Sequence, residues 1–281
     1  MQVKLEFIDD FSDYFMHVGK YDEDELISIG QQNDICVAIE LDALPCLRFF
    51  PHVTNLILRP GCITEDHLHY LYNLPIRRMK LDYYSDSIDE YAIDLSEFSQ
   101  LECVFSRTQY NYRNVNKCPS LTALVVQEWY TCDLSDLGST QISKLKILSG
   151  RLTSLKGINK LPGLKYLSVA NQRSLKSISD VHNCYKLEFL EIESCNKVAL
   201  STFPTISHLR SLVIIGRQEI DNCDFFLRFP LLEKLVLGIK IVDGDISNLR
   251  KLKHCSILRD YRHYSHRNSD LPKMIDADTL K

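Results

Sequence analysis

A short aliphatic pattern recurs along most of this 281-residue chain. It reads L-x-x-L-x-L with aliphatic substitutions, and the middle residue of each copy serves as a marker. The ten markers are Leu56, Met79, Val104, Leu124, Leu145, Leu167, Leu190, Leu212, Leu235 and Cys255. Neighbouring markers are separated by about 22 residues on average, a period typical of stacked structural repeats. The period favours a repeat array over one or two ordinary globular domains.

The residues within each repeat indicate a short strand followed by a turn. The x-L-x-L-x core alternates with a period of two, as a half-buried strand does. A second apolar set, which includes Leu152 and Ile158, would close the coil from the opposite side. Asp-x-Ser segments begin at Asp94, Asp133 and Asp245. An Asp in that position can accept a hydrogen bond from a free backbone N–H where a helical turn begins.

The best-preserved stretch is Leu155-Lys-Gly-Ile-Asn-Lys-Leu-Pro-Gly-Leu-Lys-Tyr-Leu-Ser-Val. It resembles the short leucine-rich repeats of bacterial internalin-like proteins and some eukaryotic phosphatase regulators. The resemblance extends from Leu44 to Leu258. It implies an α/β leucine-rich-repeat solenoid, a right-handed superhelix with a parallel concave sheet of about ten short strands. Its convex side would be irregular, with short helical turns.

One position departs from that family. The family usually places Asn or Cys three residues after the third consensus Leu, where the side chain bonds neighbouring backbone. In this chain only Cys195 matches, and the equivalent positions include Gly150 and Gln172. Irregular coils are therefore expected.

The two ends lack the repeat. Residues 1–43 contain two alternating apolar runs around an acidic segment, Tyr21 to Gln32, which is expected to be helical. A solenoid needs its first coil covered by a polar-faced cap, and this region is interpreted as that cap. Residues 44–258 are predicted to form the solenoid, and residues 259–281 a C-terminal cap or tail.

Charge and composition argue against several classes of protein. The net charge of −4 and a pI near 6.1 disfavour a dedicated nucleic-acid binder. Asp9, Asp10 and Asp13 interrupt the apolar stretch that a signal peptide would need, and no run of apolar residues is long enough for a membrane span. The ten cysteines form no CxxC pair and are expected to be buried thiols in a reducing compartment. We therefore expect a cytoplasmic protein.

The outward positions of the strands suggest where a partner could bind. The first five repeats place several Arg and Lys residues there against a single Asp82, whereas later repeats contribute two glutamates. Such a division of charge can orient a protein partner, although ordinary solvated residues are the alternative. Aromatic residues follow the strands of repeats two to four and would share one edge of the stack. Tyr, Trp and Arg dominate binding hot spots, but these rings could instead pack on one another under the loops. The predicted partner-binding residues are Arg78, Lys80, Tyr83, Tyr84, Phe105, Arg107, Tyr110, Tyr112, Trp129, Tyr130, Lys144, Lys146, Glu191 and Glu193.

Signals for chemistry are weak. Asp66, His67 and His69 suggest a ligand cluster, but residues two apart point to different faces of a helix. Thr64 is better interpreted as a helix cap, and His263 and His266 as part of a solvated tail. We assign no catalytic residue, metal or cofactor.

These observations favour a non-catalytic module that binds a cytosolic protein on the concave face or its aromatic edge. A neutralising inhibitor, for instance an immunity protein paired with a bacterial toxin, would suit such a chain. The alternatives are a scaffold or adaptor joining two proteins and a metal-dependent enzyme using His67, His69 or the cysteines. Binding of nucleic acid to the basic half would be marked by steep salt dependence.

Overall fold

The structure is a computed structural model that describes residues 15–17, 22–30, 36–61, 65–83, 92–138 and 140–273. The chain divides into two compact units. The first comprises residues up to Glu128 together with Leu137–Ile142, and the second comprises Trp129–Asp136 and the chain from Ser143 onward. Of the residues singled out in the sequence, Asp9, Asp10, Asp13, Thr64 and Tyr84 lie outside the described ranges, as does one of the ten cysteines, Cys62.

The first unit contains a parallel sheet that runs in chain order. Its strands within the described residues are β1 (Phe15–His17), β2 (Cys36–Glu40), β3 (Asn55–Arg59), β4 (Arg78–Leu81), β6 (Cys103–Thr108) and β8 (Ala123–Trp129), the last residue of which belongs to the second unit. A separate parallel pair joins β5 (Ile93–Asp94) to β7 (Tyr112–Arg113). The α-helices described are α1 (Glu23–Gly30) and α2 (Glu65–Tyr72).

The second unit likewise contains parallel strands. The described strands, again in chain order, are β9 (Lys144–Gly150), β10 (Tyr166–Ala170), β11 (Phe189–Glu193), β12 (Ser211–Ile220), β13 (Lys234–Ile241) and β14 (His254–Ile257). Short 3-10 turns connect them on the opposite side of each coil: Ile158–Lys160, Ser179–Asn183, Leu200–Thr202, Cys223–Arg228 and Ser247–Lys251.

The marker residues align as the period predicted. In the first unit Leu56 pairs with Met79, and Met79 with Val104. In the second unit the same row runs from Leu145 through to Cys255 without a break. All ten markers are fully buried. Each therefore packs inside its own coil against the equivalent residues of its neighbours, which is how a repeat that cannot bury its core alone becomes stable.

The predicted turn chemistry is also confirmed. Carboxylate oxygens of Asp94, Asp133 and Asp245 each accept a hydrogen bond from a backbone N–H two residues later, at 2.9–3.0 Å. The second apolar set, including Leu152 and Ile158, is fully buried. Each Asp thus satisfies a donor that the first residues of a 3-10 turn would otherwise leave without a partner.

The amino-terminal region begins the sheet earlier than predicted. The acidic segment is helical at α1, as expected. However, β2 pairs with β3 over five residues, with Val37 beside Leu56 in the marker row. The boundary predicted at residue 43 therefore does not mark a change in the sheet. The repeat pattern did not identify β2 as part of the sheet, because Val37 and Leu56 are fewer residues apart than any two neighbouring markers of the later repeats.

The position that usually holds Asn or Cys is filled in different ways along the second unit. Gln172 is fully buried, and its amide accepts from Leu152 N–H at 3.2 Å and donates to Ala170 C=O at 3.1 Å. Its longer side chain thus bonds the neighbouring backbone as an Asn would. Gly150 has a φ of 139°, and a Cβ there would lie 2.0 Å from the carbonyl oxygen of Trp129. Only glycine allows so close an approach of two coils.

A row of charges runs along the loops that lead into the strands. In the second unit Glu233 lies between Arg210 at 2.7 Å and Lys253 at 3.0 Å, each contributed by an adjacent coil. In the first unit Arg77 forms an ion pair with Glu102 in the same position of the repeat. Exposed pairs of this kind contribute little energy, but alternating signs favour the native register over a slipped one.

Residues after β14 pack against β14 and β13, the last two strands of the second unit. The backbone N–H of Cys255 donates to Pro272 C=O at 2.8 Å, and that of Ile257 donates to the side chain of Asn268 at 2.9 Å. Tyr264 is buried, and its hydroxyl accepts from Ile241 N–H at 2.9 Å. Backbone groups that could otherwise recruit another strand are thereby occupied.

Tyr264→Phe is expected to destabilise the second unit by about 1–3 kcal/mol, because it leaves the buried N–H of Ile241 without its acceptor. The matched control is Tyr261→Phe, which keeps the ring packed on Tyr264. Its free energy of unfolding should stay within about 0.5 kcal/mol of the parent. Chemical denaturation followed by circular dichroism measures both, and equal stability of the two variants would contradict the assignment.

Candidate protein-binding surface

In each unit the side chains that point away from the coil interior form what we call the strand face. On the first unit's strand face two of the predicted basic residues, Lys80 and Arg107, belong to a network around Asp82. Asp82 accepts a hydrogen bond from Arg107 at 2.7 Å and lies 3.7 Å from the ammonium of Lys80. Arg107 also donates to the side chain of Gln127 at 2.8 Å, and Lys80 lies 5.4 Å from the centre of the Phe105 ring. Asp82 therefore offsets part of the positive charge predicted there.

Two of the predicted exposed aromatics are buried instead. Trp129 is 1% exposed, and its indole N–H donates to Asp133 C=O at 3.0 Å. Tyr112 lies in β7, where it is 5% exposed. The expectation that these rings form part of an exposed edge is wrong for both. Burial is favoured because a large ring contributes strongly to a core when its polar atom has a partner, as the Trp129 indole does.

Of the aromatic set, Tyr83, Tyr110 and Tyr130 are half-buried. The Tyr83 hydroxyl donates to Asn111 C=O at 3.4 Å, and the Asn111 side chain donates back to Tyr83 C=O at 2.6 Å. Tyr110 adjoins Asn111 in the first unit, whereas Tyr130 belongs to the second unit and lies under the guanidinium of Arg151, at 5.7 Å. The structure thus links Tyr83 to Asn111, the residue that follows Tyr110.

The most distinctive feature of the second unit's strand face is a stacked pair of rings that we call the aromatic platform. Tyr166 of β10 and Phe189 of β11 pair directly in the sheet. Their ring centroids are 4.2 Å apart, and their planes differ by 8°. Both rings are half-buried, so they offer apolar area that is already ordered. Rigid aromatic side chains bury large areas at small entropic cost, which makes the platform suited to binding.

Charged residues surround the aromatic platform. Lys144 and Lys146 of β9 pair with Tyr166 and Ser168 of β10. Ser168 donates to the carboxylate of Glu191 at 2.5 Å, and Glu193 follows on the same strand. Burial raises the pKa of the Tyr166 phenol above its usual range, and the Glu191 carboxylate adds to the rise. The phenol is therefore neutral and available as a hydrogen-bond donor across the physiological pH range.

Tyr166 and Phe189 occupy outward positions of adjacent repeats but are absent from the predicted site. The signal that could have found them is two aromatic residues at the same position of adjacent repeats, because such residues become neighbours in a parallel sheet. Of the predicted residues, Lys144, Lys146, Glu191 and Glu193 share this strand face.

Groups suited to chemistry are scattered. Within the described part of the chain, no three His, Cys, Asp or Glu residues are placed to hold a metal ion. His67 and His69 lie on α2, and His263 is exposed with its ring nitrogen 3.0 Å from Ile241 C=O. None of the helices in the described ranges has the length and hydrophobicity needed to cross a bilayer.

Comparison with known proteins identifies the architecture. No protein-family model and no curated protein matches the sequence. Among solved structures, an internalin, InlF from Listeria monocytogenes, is similar over 86% of this chain and 78% of its own, with a TM-score of 0.58 and 14% identity. Each unit folds as a leucine-rich-repeat solenoid. The functional domain of InlJ from the same species is similar over 80% of this chain and 49% of its own, with a TM-score of 0.49 and 17% identity. The predicted fold class is confirmed, and at these identities the likeness concerns the fold alone.

Five of the nine described cysteines are buried as expected, including Cys184, Cys195 and Cys255, whereas the expectation is wrong for Cys132, which is exposed. Burial raises the pKa of the Cys184 and Cys195 thiols to about 11, and that of Cys255 to about 12. Cys223 reaches about 12, through burial first and then through the carboxylates of nearby aspartates. A raised pKa leaves almost no thiolate at neutral pH, so these groups are poor nucleophiles.

Thiol labelling at pH 7 should therefore modify Cys132 first, since Cys132 is exposed. Cys184, Cys195 and Cys255 should react only after unfolding in denaturant, because the native solenoid both covers them and suppresses their thiolates. Mass spectrometry of labelled peptides locates each modification. Cys132→Ser is the control and should remove the fast phase; rapid labelling of Cys195 in the native protein would contradict this assignment.

A double-mutant cycle on Tyr166→Ala and Phe189→Ala should give a coupling free energy of about 0.5–1.5 kcal/mol, as for other stacked rings. Each single variant should keep the fold, since both rings are only half-buried. The reference cycle pairs Tyr166→Ala with Tyr185→Ala, a ring that is 74% exposed in the loop before β11. Its coupling should be near zero. If the two cycles gave the same value, the platform would not be an ordered pair.

Proposed function

We propose that the chain is a protein-binding module without chemistry of its own, and that a protein partner binds the strand face of the second unit around the aromatic platform. The observation that carries the proposal is the stacked pair, Tyr166 and Phe189, held at 4.2 Å on an outward face. Preordered rings lower the entropic cost of association, and the charged residues around them can orient the partner. The predicted contacts Lys144, Lys146, Glu191 and Glu193 fall within reach of such an interface.

A binding role is favoured over an enzymatic one by the state of the reactive groups. The pKa values of the Cys184, Cys195, Cys223 and Cys255 thiols are raised. The metal-binding or nucleophilic chemistry that the number of cysteines suggested therefore has little support. The nine described cysteines are free thiols. Free thiols in such number suit a reducing compartment, and we propose the cytoplasm as the site of action.

More specifically, we propose a neutralising inhibitor, such as an immunity protein bound to a toxin. An inhibitor of this kind needs only one face, which covers one partner. A scaffold or adaptor is the alternative and would need a second contact surface. The first unit's strand face offers one, since the half-buried Phe105 ring lies beside Lys80 and the Asp82–Arg107 pair. Loss of one partner in Phe189→Ala and of a different partner in Phe105→Ala would favour the scaffold.

Quantitative affinity capture from extracts of the source cells tests the main proposal. Proteins retained by the parent chain should fall at least about ten-fold with Phe189→Ala, because truncating a central anchor removes hot-spot energy. The matched control is Tyr185→Ala, which removes an exposed ring away from the strand face and should retain the same proteins. Any protein so identified is then titrated against purified variants. Equal affinity of the parent and Phe189→Ala would overturn the proposal.

A further inference from the structure

We infer that the second unit's strand face contains a slot over Ser211 that accepts one aromatic side chain of the protein partner, with acidic residues beside that ring. The inference rests on the proposed function and specifies the partner's contact segment.

The walls of the slot follow from the sheet register. Phe189 of β11 pairs with Ser211 of β12, and Ser211 pairs with Lys234 of β13. Three consecutive strands therefore place a ring, a small hydroxyl and a long side chain side by side on the same face. Because Ser211 is short, the ring and the lysine are separated by a gap at side-chain height.

The gap has the width of one ring. Neighbouring strands lie about 4.8 Å apart, so Phe189 and Lys234 are about 9.6 Å apart at the backbone. The Tyr166–Phe189 separation of 4.2 Å shows that this sheet supports stacking of rings from adjacent strands. A ring above Ser211 would continue the stack by one member on the open side of Phe189. Val213 of β12 is nearly buried and provides an apolar end to the slot.

The surrounding charges favour an aromatic ring over a guanidinium group. Lys234 is exposed on the far wall of the slot, and an ammonium group is attracted to the face of an aromatic ring. Lys144 lies in the same row on the other side of the platform. A guanidinium above Ser211 would be repelled mainly by Lys234, one strand away, because Lys144 is three strands away and its charge is screened. Of the carboxylates near the slot, Glu191 already accepts from Ser168, and Glu233, next to Lys234, is paired with Arg210 and Lys253.

The same lysines indicate what flanks the ring. A partner segment lying across the strands would place its neighbouring residues near Lys144 and Lys234, and carboxylates there would be attracted to both. The slot therefore fits a tyrosine, tryptophan or phenylalanine within an acidic stretch. Exposed charge pairs would make binding weaken as salt concentration rises.

A capped pentapeptide with tryptophan between two pairs of glutamates is a direct probe. NMR titration should detect it binding to the intact chain. Replacing the tryptophan by leucine should weaken binding about ten-fold, and replacing the glutamates by lysines should weaken it at least as much. The inference fails if the aromatic acidic peptide does not bind, if the leucine peptide binds equally well, or if the lysine peptide binds more tightly.

Two substitutions at one position locate the binding. Ser211→Phe fills the slot with a ring of the chain's own and should lower the affinity for the acidic tryptophan peptide at least about ten-fold. Ser211→Ala leaves the slot open and should change it by less than about two-fold. If Ser211→Phe does not fold, Ser211→Cys can be folded first and then blocked with N-ethylmaleimide, with the parent chain treated in parallel. Unchanged affinity after blocking would overturn the slot.

Capture of the partner separates this inference from the proposed function. If Phe189→Ala loses the partner while Ser211→Phe keeps it, the strand face binds but the slot is not used. If both variants keep it, the proposed function itself fails. If Phe189→Ala and Ser211→Phe both lose the partner while Ser211→Ala and Tyr185→Ala retain it, the result supports both proposals.

Discussion

The in-phase burial of one aliphatic residue per coil is the constraint on which the rest of the structure depends. Each marker fills the interior of its own coil and pairs with the marker of the next, as Leu167 does with Leu190 and Leu190 with Leu212. A slip of one residue would turn these side chains outward and bring polar ones inside. The register is therefore strongly specified. The position of each side chain on the strand face follows from the pairing of these buried residues.

Because the strands are in register, residues that are one repeat apart in the chain become neighbours in the sheet. Tyr166 and Phe189 stack because both stand directly before a marker in adjacent repeats. Asp82 and Arg107 meet because both stand three residues after a marker in adjacent repeats, and their pairing offsets part of the positive charge predicted for this surface. Substitutions that accumulate on outward positions can thus alter a binding surface while leaving the buried row, and hence the fold, unchanged.

Several features were accessible from the sequence because they depend on local chemistry. The Asp-x-Ser turns were predictable, since an Asp carboxylate reaches the N–H two residues later whatever surrounds it. The helix at α1 was predictable from its position between apolar runs. The burial of Trp129 was not, because the exposed fraction of a side chain depends on residues distant in the chain that pack around it. Gln172 likewise performs an Asn-like role only because a neighbouring coil presents Leu152 N–H within its reach.

The sequence by itself determined the period, the strand positions, the inward residues and the turns, since each follows from apolar spacing or from a side chain bonding its own neighbourhood. Tertiary structure decided which aromatic rings are buried, which charges neutralise one another, where the sheet begins, and how residues 261–272 pack along β14. The physical reason is the same in each case. These outcomes depend on the distance between side chains of different coils, and that distance exists only once the coils have stacked.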